Sequence, residues 1–271
     1  MVKIIYSWAK INLGLWVLGK RADGYHEILT ILHRIDLRDE IRIKEGALRV
    51  ETSTGIPQED NLVYRGLKLF ARETGILPEV SIYINKRIPE GAGLGGGSSN
   101  LSAVLEEVNR MCGSPLSRDD LRLIAGQISS DAPFFLGPPS AVGRGRGEIL
   151  EEIDIPPMEF TLIVPPVKSS TRRVYSSLGE DLPPAPDVME ILEWIRNGRL
   201  EGIRNVLGET ACDLYPEIGE VIRYLKSKGV NPLVSGSGSA VFYIGKPFEE
   251  LKRASSMRRW RVFYAKSRHG V

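Results

Sequence analysis

Cysteine and histidine are both scarce in this sequence. Its 271 residues include two cysteines, Cys112 and Cys212, and three histidines. Two cysteines cannot build a disulfide framework, and neither stands at the spacing of a zinc site. None of the histidines has a partner at a metal-ligand spacing. We therefore expect reduced thiols and no metal site built from protein ligands alone.

Long apolar runs and a large excess of either charge are also missing. No apolar run approaches the ~20 residues that span a bilayer, and the N-terminus lacks the basic and apolar stretches of a secretory signal. The formal net charge is only +2, which gives no general attraction to nucleic acid or anionic lipid. The sequence predicts a cytoplasmic protein with neither nucleic acid nor membrane as a partner, and it leaves the oligomeric state open.

The first half of the sequence opens with strands and then mixes helices with strands. Period-two alternation predicts strands, and apolar residues at helical spacing behind capping residues predict helices. The predicted strands of this half cover 2–8, 11–18, 26–35, 41–43, 48–50 and 80–84, with a hairpin over 141–149. Its predicted helices run from Asn61 to Gly75, from Leu101 to Met111 and from Ser117 to Gln127.

The best candidate for a domain boundary is Pro156-Pro157, which gives domains over 1–155 and 156–271. The second half alternates strands and helices without repeats or low complexity. Its predicted strands cover 160–164, 241–244 and 260–265, and its predicted helices cover 169–178, 187–207, 216–228 and 248–257. An α+β protein in two lobes, the first rich in β-structure, accounts for this order of elements.

The most informative stretch runs from Gly91 to Asn100 and has five glycines in its first seven positions. A predicted strand precedes it and a predicted helix follows it. Glycine lets the backbone take positive φ and approach a ligand closely. The helix N-terminus adds unpaired N–H groups and the positive end of a dipole. The sequence therefore predicts an anion site, and phosphate is the anion that such segments bind most often.

Two familiar phosphate-binding motifs do not fit this segment. Gly91, Gly93 and Gly96 formally match the dinucleotide fingerprint, but a loop over 112–120 stands where that fold needs a second parallel strand. A Walker A motif ends in Gly-Lys followed by Ser or Thr, and this segment has no lysine. Backbone N–H groups would then do most of the binding. Ser98 and Ser99 begin the helix, either as caps or as contacts to phosphate or Mg²⁺.

Three further positions are ambiguous when each is taken alone. Lys10 and Asn12 point to the same side of a strand, either as a polar surface stripe or as part of a site. Asp131 precedes Ala-Pro at a break in helical pattern, where an Asx turn or a helix cap is the ordinary explanation. His26 follows a tight turn, and a single histidine there is more often structural than catalytic.

A resemblance that extends along the whole chain changes this balance. The segments that carry it are Ala9 to Leu13, Arg21 to Glu27, Pro89 to Asn100, Asp131 to Phe134 and Ser235 to Gly238, in this order. Together they resemble the GHMP kinase superfamily, and most closely its branch that phosphorylates 4-diphosphocytidyl-2-C-methyl-D-erythritol. The glycine segment is common to the superfamily. The Asp-Gly-Tyr-His turn points to this branch rather than to homoserine, mevalonate or galactose kinases.

The resemblance implies a two-lobed fold, with a β-rich N-terminal domain of the ribosomal protein S5 domain 2-like type and a C-terminal α+β domain. It implies that ATP, carried with Mg²⁺, is the phosphoryl donor. The residues that would hold the ATP phosphates are Pro89, Glu90, Gly91, Ala92, Gly93, Leu94, Gly95, Gly96, Gly97, Ser98 and Ser99. Asp131 would accept the proton of the substrate hydroxyl. Lys10 would lie beside Asp131 and stabilise charge on the transferred phosphoryl group.

The resemblance also assigns the residues that bind the second substrate, a small molecule with a cytidine diphosphate end. These residues are Asn12, Tyr25, His26, Thr171, Tyr175, Gly236 and Gly238. Tyr25 and Tyr175 would stack on either side of the pyrimidine, His26 would contact its edge, and the loop with Gly236 and Gly238 would close against the first glycine segment. Trp8 and Leu32 depart from the residues usual in these kinases, which bears on pocket shape rather than on the catalytic pair.

Two other functions remain open from the sequence. Another small-molecule kinase of the same superfamily, of the homoserine or mevalonate type, is the nearest alternative. An RNA-binding surface is the alternative from another class, because basic residues surround aromatic ones near the C-terminus. These residues are Lys252, Arg253, Arg258, Arg259, Arg261, Lys266 and Arg268 with Trp260, Phe263 and Tyr264.

Overall fold

A computed structural model of the protein describes residues 2–179, 181–198 and 202–268. This part of the chain contains both strands and helices. Its strands are β1 (Val2–Lys20), β2 (His26–Glu45), β3 (Arg49–Thr52), β4 (Val80–Asn85), β5 (Ser140–Arg144), β6 (Ile149–Glu152), β7 (Glu159–Val164), β8 (Leu233–Val234), β9 (Val241–Ile244) and β10 (Arg261–Lys266). Its α-helices are α1 (Leu62–Thr74), α2 (Gly96–Met111), α3 (Arg118–Ile128), α4 (Ala132–Phe135), α5 (Thr171–Ser176), α6 (Val188–Arg196), α7 (Val206–Leu214), α8 (Pro216–Ser227) and α9 (Glu249–Arg258).

The opening of the chain forms two long strands where the sequence predicted shorter ones. The strands predicted over 2–8 and 11–18 are one strand, β1, and those predicted over 26–35 and 41–43 are one strand, β2. Residues 36–40 lay outside the predicted strands, but they are part of β2. Arg38, for example, lies over the rings of Tyr6 and Trp8, with its Cζ 4.0 Å and 4.9 Å from their centroids. Packing across the sheet therefore overrides the polar composition of this stretch.

The chain divides into two compact units, each assembled from separate segments. The first unit contains residues 2–9, 37–88 and 95–138. Its strand β4 pairs in parallel with β3 and in antiparallel with β2. Residues of β2, β3 and β4 share one apolar core with α1, α2 and α3, and this core includes Ile43, Ile82, Phe70 and Leu105. The glycine-rich start of α2 therefore belongs to a helix whose apolar face is buried in this core.

The helix ends of the first unit follow the capping signals of the sequence. Asn61 caps α1 by accepting a hydrogen bond from the N–H of Val63, and Gly75 ends the helix in the left-handed conformation. Ser117 and Asp120 form the predicted capping box at the start of α3. The start of α2 differs from the prediction, because the helix begins at Gly96 with Gly95 at the N-cap, before Ser98. Gly95 has a φ of 69°, a conformation that favours glycine over residues with a side chain.

The second unit contains the described residues within 10–36, 89–94 and 139–268. Its four-stranded antiparallel sheet has the order β10-β7-β9-β8. In the same unit β2 pairs with β5, and β5 pairs with β6 in the predicted hairpin. The ring of Phe160 on β7 packs edge-on against that of Phe242 on β9, with centroids 6.1 Å apart. The second glycine loop joins β8 to β9 within this sheet.

Most helices predicted in the second unit are present, and one prediction is wrong. A single helical pattern over 187–207 was expected, but α6 ends at Arg196 and α7 begins at Val206. Gly198 has a φ of 66°, typical of a helix end, and Asn205 caps α7 by accepting from the N–H of Gly208. The predicted positions 199–201 lie outside the described residues. The short helix that carries Tyr175 is present as α5.

The two units do not follow one another along the chain. Their borders fall near residues 9, 36, 88, 94 and 138, so the predicted boundary between residues 155 and 156 is not one of them. As a division into two family domains, the boundary at 155 stays a prediction. No helix of the described residues is long and apolar enough to cross a membrane.

We predict that Gly66→Ala destabilises the first unit. A β-carbon at this position of α1 would lie 2.2 Å from Cδ1 of Leu101, which is fully buried on α2. Overpacking of this kind costs roughly 1–3 kcal/mol, and urea unfolding would measure it. Gly219→Ala is the matched control, because Gly219 on α8 faces the flexible end of the Arg223 side chain. That control should be neutral or stabilise by up to about 1 kcal/mol, and equal effects of the two variants would contradict the close α1–α2 packing.

Candidate active site

The first half of the glycine segment, residues 91–94, is held by backbone hydrogen bonds within the second unit. The carbonyl oxygen of Gly91 accepts from the N–H groups of Ser169 and Ser239, at 3.2 and 3.3 Å. The carbonyl oxygen of Ala92 accepts from the N–H of Ala240, at 3.0 Å. The segment is therefore attached to two other parts of the unit, rather than being a free connector.

The second glycine loop, residues 235–239, lies directly against this segment. The hydroxyl of Ser235 donates to the carbonyl oxygen of Gly93, at 3.0 Å. A β-carbon at Gly93 would lie 2.0 Å from the carbonyl oxygen of Ser235 and 3.0 Å from that of Gly238. Two backbones can approach this closely only where one of them has no side chain. The contact between the two glycine segments that the sequence led us to expect is therefore present.

Lys10 and Asn12 are buried beside this contact, with exposures of 3% each. The Nζ of Lys10 donates to Oδ1 of Asn12 at 2.6 Å, and Nδ2 of Asn12 donates to Oγ1 of Thr30 at 2.8 Å. The backbone N–H of Asn12 donates to Oγ of Ser235, at 3.3 Å. The explanation of Lys10 and Asn12 as a polar surface stripe is wrong, because both side chains are buried.

Gly236 of the second loop passes over the same pair. A β-carbon there would lie 3.1 Å from Oδ1 of Asn12 and 3.5 Å from Nζ of Lys10. A side chain at this position would therefore contact the buried Lys10–Asn12 pair. A buried cation oriented in this way is suited to an anionic group that enters the site.

Asp131 lies in the first unit, in a short segment that is tied to the first turns of α2. The hydroxyls of Ser98 and Ser129 are 2.8 Å apart, and the hydroxyl of Ser102 donates to the carbonyl oxygen of Ala132 at 2.7 Å. Asp131 stands between these two attachment points, at the N-cap position of α4. Its side chain makes no capping hydrogen bond there, so helix capping does not account for the carboxylate.

The start of α2, also in the first unit, keeps the chemistry expected of an anion site. Gly95 at the N-cap has no side chain that could accept from the following N–H groups, and Gly96 and Gly97 open the helix. The first N–H groups of a helix have no partner within it. They also lie at the positive end of its dipole. The prediction that this segment binds phosphate through backbone N–H groups stays a prediction, and its geometry agrees with that role.

The residues expected at the nucleoside end form two ring contacts in the second unit. The rings of His26 and Tyr175 are stacked, with centroids 5.0 Å apart and planes inclined by 24°. The guanidinium of Arg146 lies over the ring of Tyr25, 4.8 Å from its centroid. Tyr25 itself is 54% exposed, so one large part of its surface faces solvent.

The imidazole of His26 has a lowered pKa. Partial burial is the main cause, because it disfavours the charged ring, and the positive charge of Lys20 adds to it. The pKa of His26 therefore lies below its ordinary value of 6.5, and the ring is neutral at pH 7. A neutral imidazole has one donor and one acceptor nitrogen, which suits contact with the edge of a base.

Thr171 lies on the same helix as Tyr175 but contacts the second glycine loop. Its hydroxyl is 2.8 Å from that of Ser237. The hydroxyl of Ser169 donates to the backbone carbonyl of Ser237, at 2.6 Å. Helix α5 thus connects the loop of Gly236 and Gly238 with the His26–Tyr175 stack.

Sequence reasoning did not identify several residues that hold these groups in place. Thr30 and Ser235 complete the hydrogen bonds of Asn12, and a buried network in the first unit, formed by Asp39, Lys86 and Asn100, lies next to the start of α2. One signal was available: Lys86 is a cation three residues before Pro89. Among the described residues no three His, Cys, Asp or Glu side chains form a group that could hold a metal.

The sequence and the fold match a known class of protein. The family model "GHMP kinases N terminal domain" matches residues 61–137. Crystal structures of homoserine kinase from Cytophaga hutchinsonii and of mevalonate kinase cover 98% and 99% of this chain, with TM-scores of 0.68 and 0.67. Their identities are only 17% and 16%, so these two likenesses concern the fold alone. They confirm the α+β fold that the sequence led us to expect.

More similar proteins narrow the class. The 4-diphosphocytidyl-2-C-methyl-D-erythritol kinase of Persephonella marina is 43% identical over 96% of this chain and 98% of its own length. The kinase of the same name from Sulfurihydrogenibium sp. is also 43% identical, over 98% of this chain and 99% of its own length. A crystal structure of 4-(cytidine 5'-diphospho)-2C-methyl-D-erythritol kinase covers 99% of this chain and 100% of its own, with 34% identity and a TM-score of 0.83. The chain therefore belongs to the 4-diphosphocytidyl-2-C-methyl-D-erythritol kinase family of the GHMP kinases, which are ATP-dependent small-molecule kinases.

We predict that Gly93→Ala disrupts the contact between the glycine segments. The new methyl group would overlap the Ser235 carbonyl, and the φ of 74° would add strain. Gly229→Ala is the matched control, because Gly229 has a φ of 72° and a β-carbon there would have no neighbour within 4 Å. Gly93→Ala should lose roughly 1–3 kcal/mol of stability beyond the control, measured by urea unfolding. Equal losses in the two variants would mean that the loops tolerate the methyl group.

Proposed function

We propose that the protein transfers the γ-phosphoryl group of ATP to the 2-hydroxyl of 4-diphosphocytidyl-2-C-methyl-D-erythritol, a step in the non-mevalonate route to isoprenoid precursors. The observation that carries the proposal is the 43% identity, over nearly the whole chain, to kinases named for this substrate. Residue by residue, the Lys10–Asn12 pair, the two glycine segments and the proximity of His26 to Tyr175 support it.

Asp131 would act as the general base. In the reaction the substrate hydroxyl oxygen attacks the γ-phosphorus, the bond from that phosphorus to the β,γ-bridging oxygen breaks, and ADP leaves. The hydroxyl proton passes to the Asp131 carboxylate. The attachment of residues 129–132 to α2 through Ser98 and Ser102 supports this role, because a base contributes only when it is held in position.

Lys10 would stabilise the charge that develops on the transferred phosphoryl group. Its ammonium group is buried and is oriented by Asn12, so little reorganisation is needed during the reaction. Fixed charges in sites that exclude water stabilise transition states more than the same charges in water. Asn12, which also matches a substrate-binding position, would set the direction of the Lys10 ammonium group.

The segment from Pro89 to Ser99 would hold the phosphates of ATP, mainly through the N–H groups at the start of α2. Mg²⁺ bound to these phosphates would neutralise part of their charge. Ser98 and Ser99 are buried in the first turn of the helix, and the Ser98 hydroxyl is shared with Ser129. Ser98 would therefore link the phosphate segment to the segment of the base.

The cytidine end of the substrate would bind at Tyr25, His26 and Tyr175. A centroid distance of 5.0 Å leaves no room for a third ring between His26 and Tyr175. The pyrimidine would therefore stack on the other face of Tyr175, with Tyr25 on its far side. For His26 to contact the edge of the base, its ring has to turn out of the stack. Thr171, Gly236 and Gly238 would then border the diphosphate and the rest of the substrate.

The substrate is tested with a panel of alcohols. Purified protein with MgATP is offered the cytidine substrate, homoserine and mevalonate, and ADP release is followed by a coupled assay. We expect turnover of the cytidine substrate and turnover of the other two at least ~10³-fold lower in kcat/KM, because these two have no base to stack on the tyrosines. Turnover of homoserine or mevalonate without turnover of the cytidine substrate would reject the proposal in favour of another kinase of the superfamily.

Asp131→Asn should lower kcat by about 10²–10⁴-fold, the usual contribution of a general base. The KM values should stay within about threefold, because the amide keeps the shape of the side chain. Steady-state kinetics with both substrates would measure these constants. Asp119→Asn is the matched control, since its side chain is 84% exposed in the same unit, and it should behave as the wild type. If the kcat of Asp131→Asn were close to that of the control, Asp131 would not be the general base.

The RNA-binding alternative has less support. Several of the basic residues near the C-terminus are paired with carboxylates: Arg258 with Glu220 at 2.8 Å, and Lys252 with Glu249 at 3.3 Å. The guanidinium of Arg258 also lies over the rings of Tyr224 and Trp260. These contacts neutralise part of the positive charge that the alternative depends on. Salt-sensitive retention of labelled RNA by the wild type would revive this alternative.

A further inference from the structure

A buried carboxylate in the first unit contacts both sides of the glycine segment. Asp39 on β2 has no exposed surface. Its Oδ1 accepts from the backbone N–H groups of Arg87 and Ile88, at 2.6 and 2.8 Å. Its Oδ2 accepts from Nζ of Lys86 at 2.5 Å and from Nδ2 of Asn100 at 2.9 Å. Two bonds to each oxygen satisfy the carboxylate.

Lys86 and Asn100 complete the network. The Nζ of Lys86 donates to Oδ1 of Asn100 at 2.9 Å as well as to Asp39, and the side chain of Lys86 is only 5% exposed. The amide of Asn100 also donates to the hydroxyl of Ser7, at 2.6 Å. The ion pair of Asp39 and Lys86 thus has further hydrogen bonds to Asn100, and a buried ion pair needs such bonds to offset the cost of removing its charges from water.

The position of the network in the chain gives it a consequence beyond stability. Residues 86–88 come directly before the glycine segment, and Asn100 is in the second turn of α2, directly after it. Asp39 therefore fixes the two flanks of this segment relative to each other. A β-carbon at Gly96, the first residue of α2, would lie 2.9 Å from Ile88 and 3.2 Å from Nζ of Lys86. The flank and the helix start are thus in direct contact.

We infer that Asp39 is a positioning residue for ATP, which acts through Lys86 and Asn100 by holding the flanks of the phosphate-binding segment in place. The inference rests on the proposed role of the Pro89 to Ser99 segment. Backbone N–H groups bind phosphate well only when they converge before the ligand arrives, because ordering them on binding costs affinity. Asp39 supplies this order from a strand that is distant in the sequence.

The alternative is that the pair contributes only stability. A buried ion pair can often be replaced by uncharged groups without loss of stability, whereas the removal of one partner is strongly destabilising. The two roles can therefore be separated by neutralising one partner and then both. Asp39→Asn keeps the acceptor for the Arg87 and Ile88 N–H groups but turns an NH₂ group towards Lys86 and Asn100. Addition of Lys86→Met removes the charge that Asp39→Asn leaves unpaired.

Nucleotide binding is the readout that a stabilising pair would not change. MgADP binding is measured by calorimetry without the alcohol substrate. The thermal midpoint of unfolding and the KM values for ATP and for the alcohol are measured on the same variants. Asp39→Asn should weaken MgADP binding and raise the KM for ATP about tenfold, a change of one decade in affinity. The KM for the alcohol should stay within about twofold, because the residues proposed to bind the alcohol lie outside the network of Asp39, Lys86 and Asn100. The double variant should recover the thermal midpoint but not the affinity for MgADP.

Glu107→Gln is the matched control. Glu107 is a nearly buried carboxylate at the other end of α2, paired with Lys3 at 2.7 Å, and its loss should lower the thermal midpoint without changing either KM. The inference would be overturned if Asp39→Asn bound MgADP as tightly as the control does. It would also be overturned if the double variant regained the wild-type affinity for MgADP. If Asp39→Asn does not fold, Asn100→Ala replaces it. MgADP affinity about tenfold below that of the control would then support the inference, and affinity equal to that of the control would overturn it. A wild type that binds MgADP but leaves the cytidine substrate unphosphorylated would reject the proposed substrate and leave this test intact.

Discussion

The approach of two backbones at Gly93 is the constraint on which most of the site depends. The Ser235 carbonyl stands where the side chain of any other residue at position 93 would begin. This approach allows Ser235 to reach both Gly93 and Asn12, and Asn12 in turn orients Lys10. A single hydroxyl thereby connects the glycine segment, the second loop and the buried cation. The orientation of the Lys10 ammonium group therefore depends on the lack of a β-carbon at Gly93.

The two units use different means to fix the same glycine segment. In the second unit the segment is held by backbone and hydroxyl hydrogen bonds at residues 91–93. In the first unit its flanks are held by a carboxylate and an ammonium group that are fully paired. Uncharged hydrogen bonds suffice where backbones touch directly. A charge is more effective where one side chain has to reach several donors at once, because hydrogen bonds to ionised groups are the stronger ones.

Features with a local cause were the ones that the sequence predicted well. The caps at Asn61 and Ser117 depend on residues within three positions, and the glycine segment between a strand and a helix was recognisable from its composition. The shared orientation of Lys10 and Asn12 follows from the two-residue period of a strand. Their burial did not follow, because it depends on Thr30 and Ser235, which are distant in the sequence. Asp39 escaped notice for the same reason, since its partners Lys86 and Asn100 lie 47 and 61 residues away. The continuation of β2 through its charged centre, likewise, is decided by neighbouring strands.

The division of the chain also limits how such a protein can be cut and recombined. Of the described residues, the second unit takes those within 10–36, 89–94 and 139–268, and the first takes those within 2–9, 37–88 and 95–138. No single break in the chain yields either unit complete, since both β1 and β2 contribute residues to each. A gene crossover or a fusion at one point would therefore transfer parts of two cores rather than one whole module. Substitutions, and insertions in exposed connections, leave both cores intact, so changes of these kinds can alter the protein without dividing either unit.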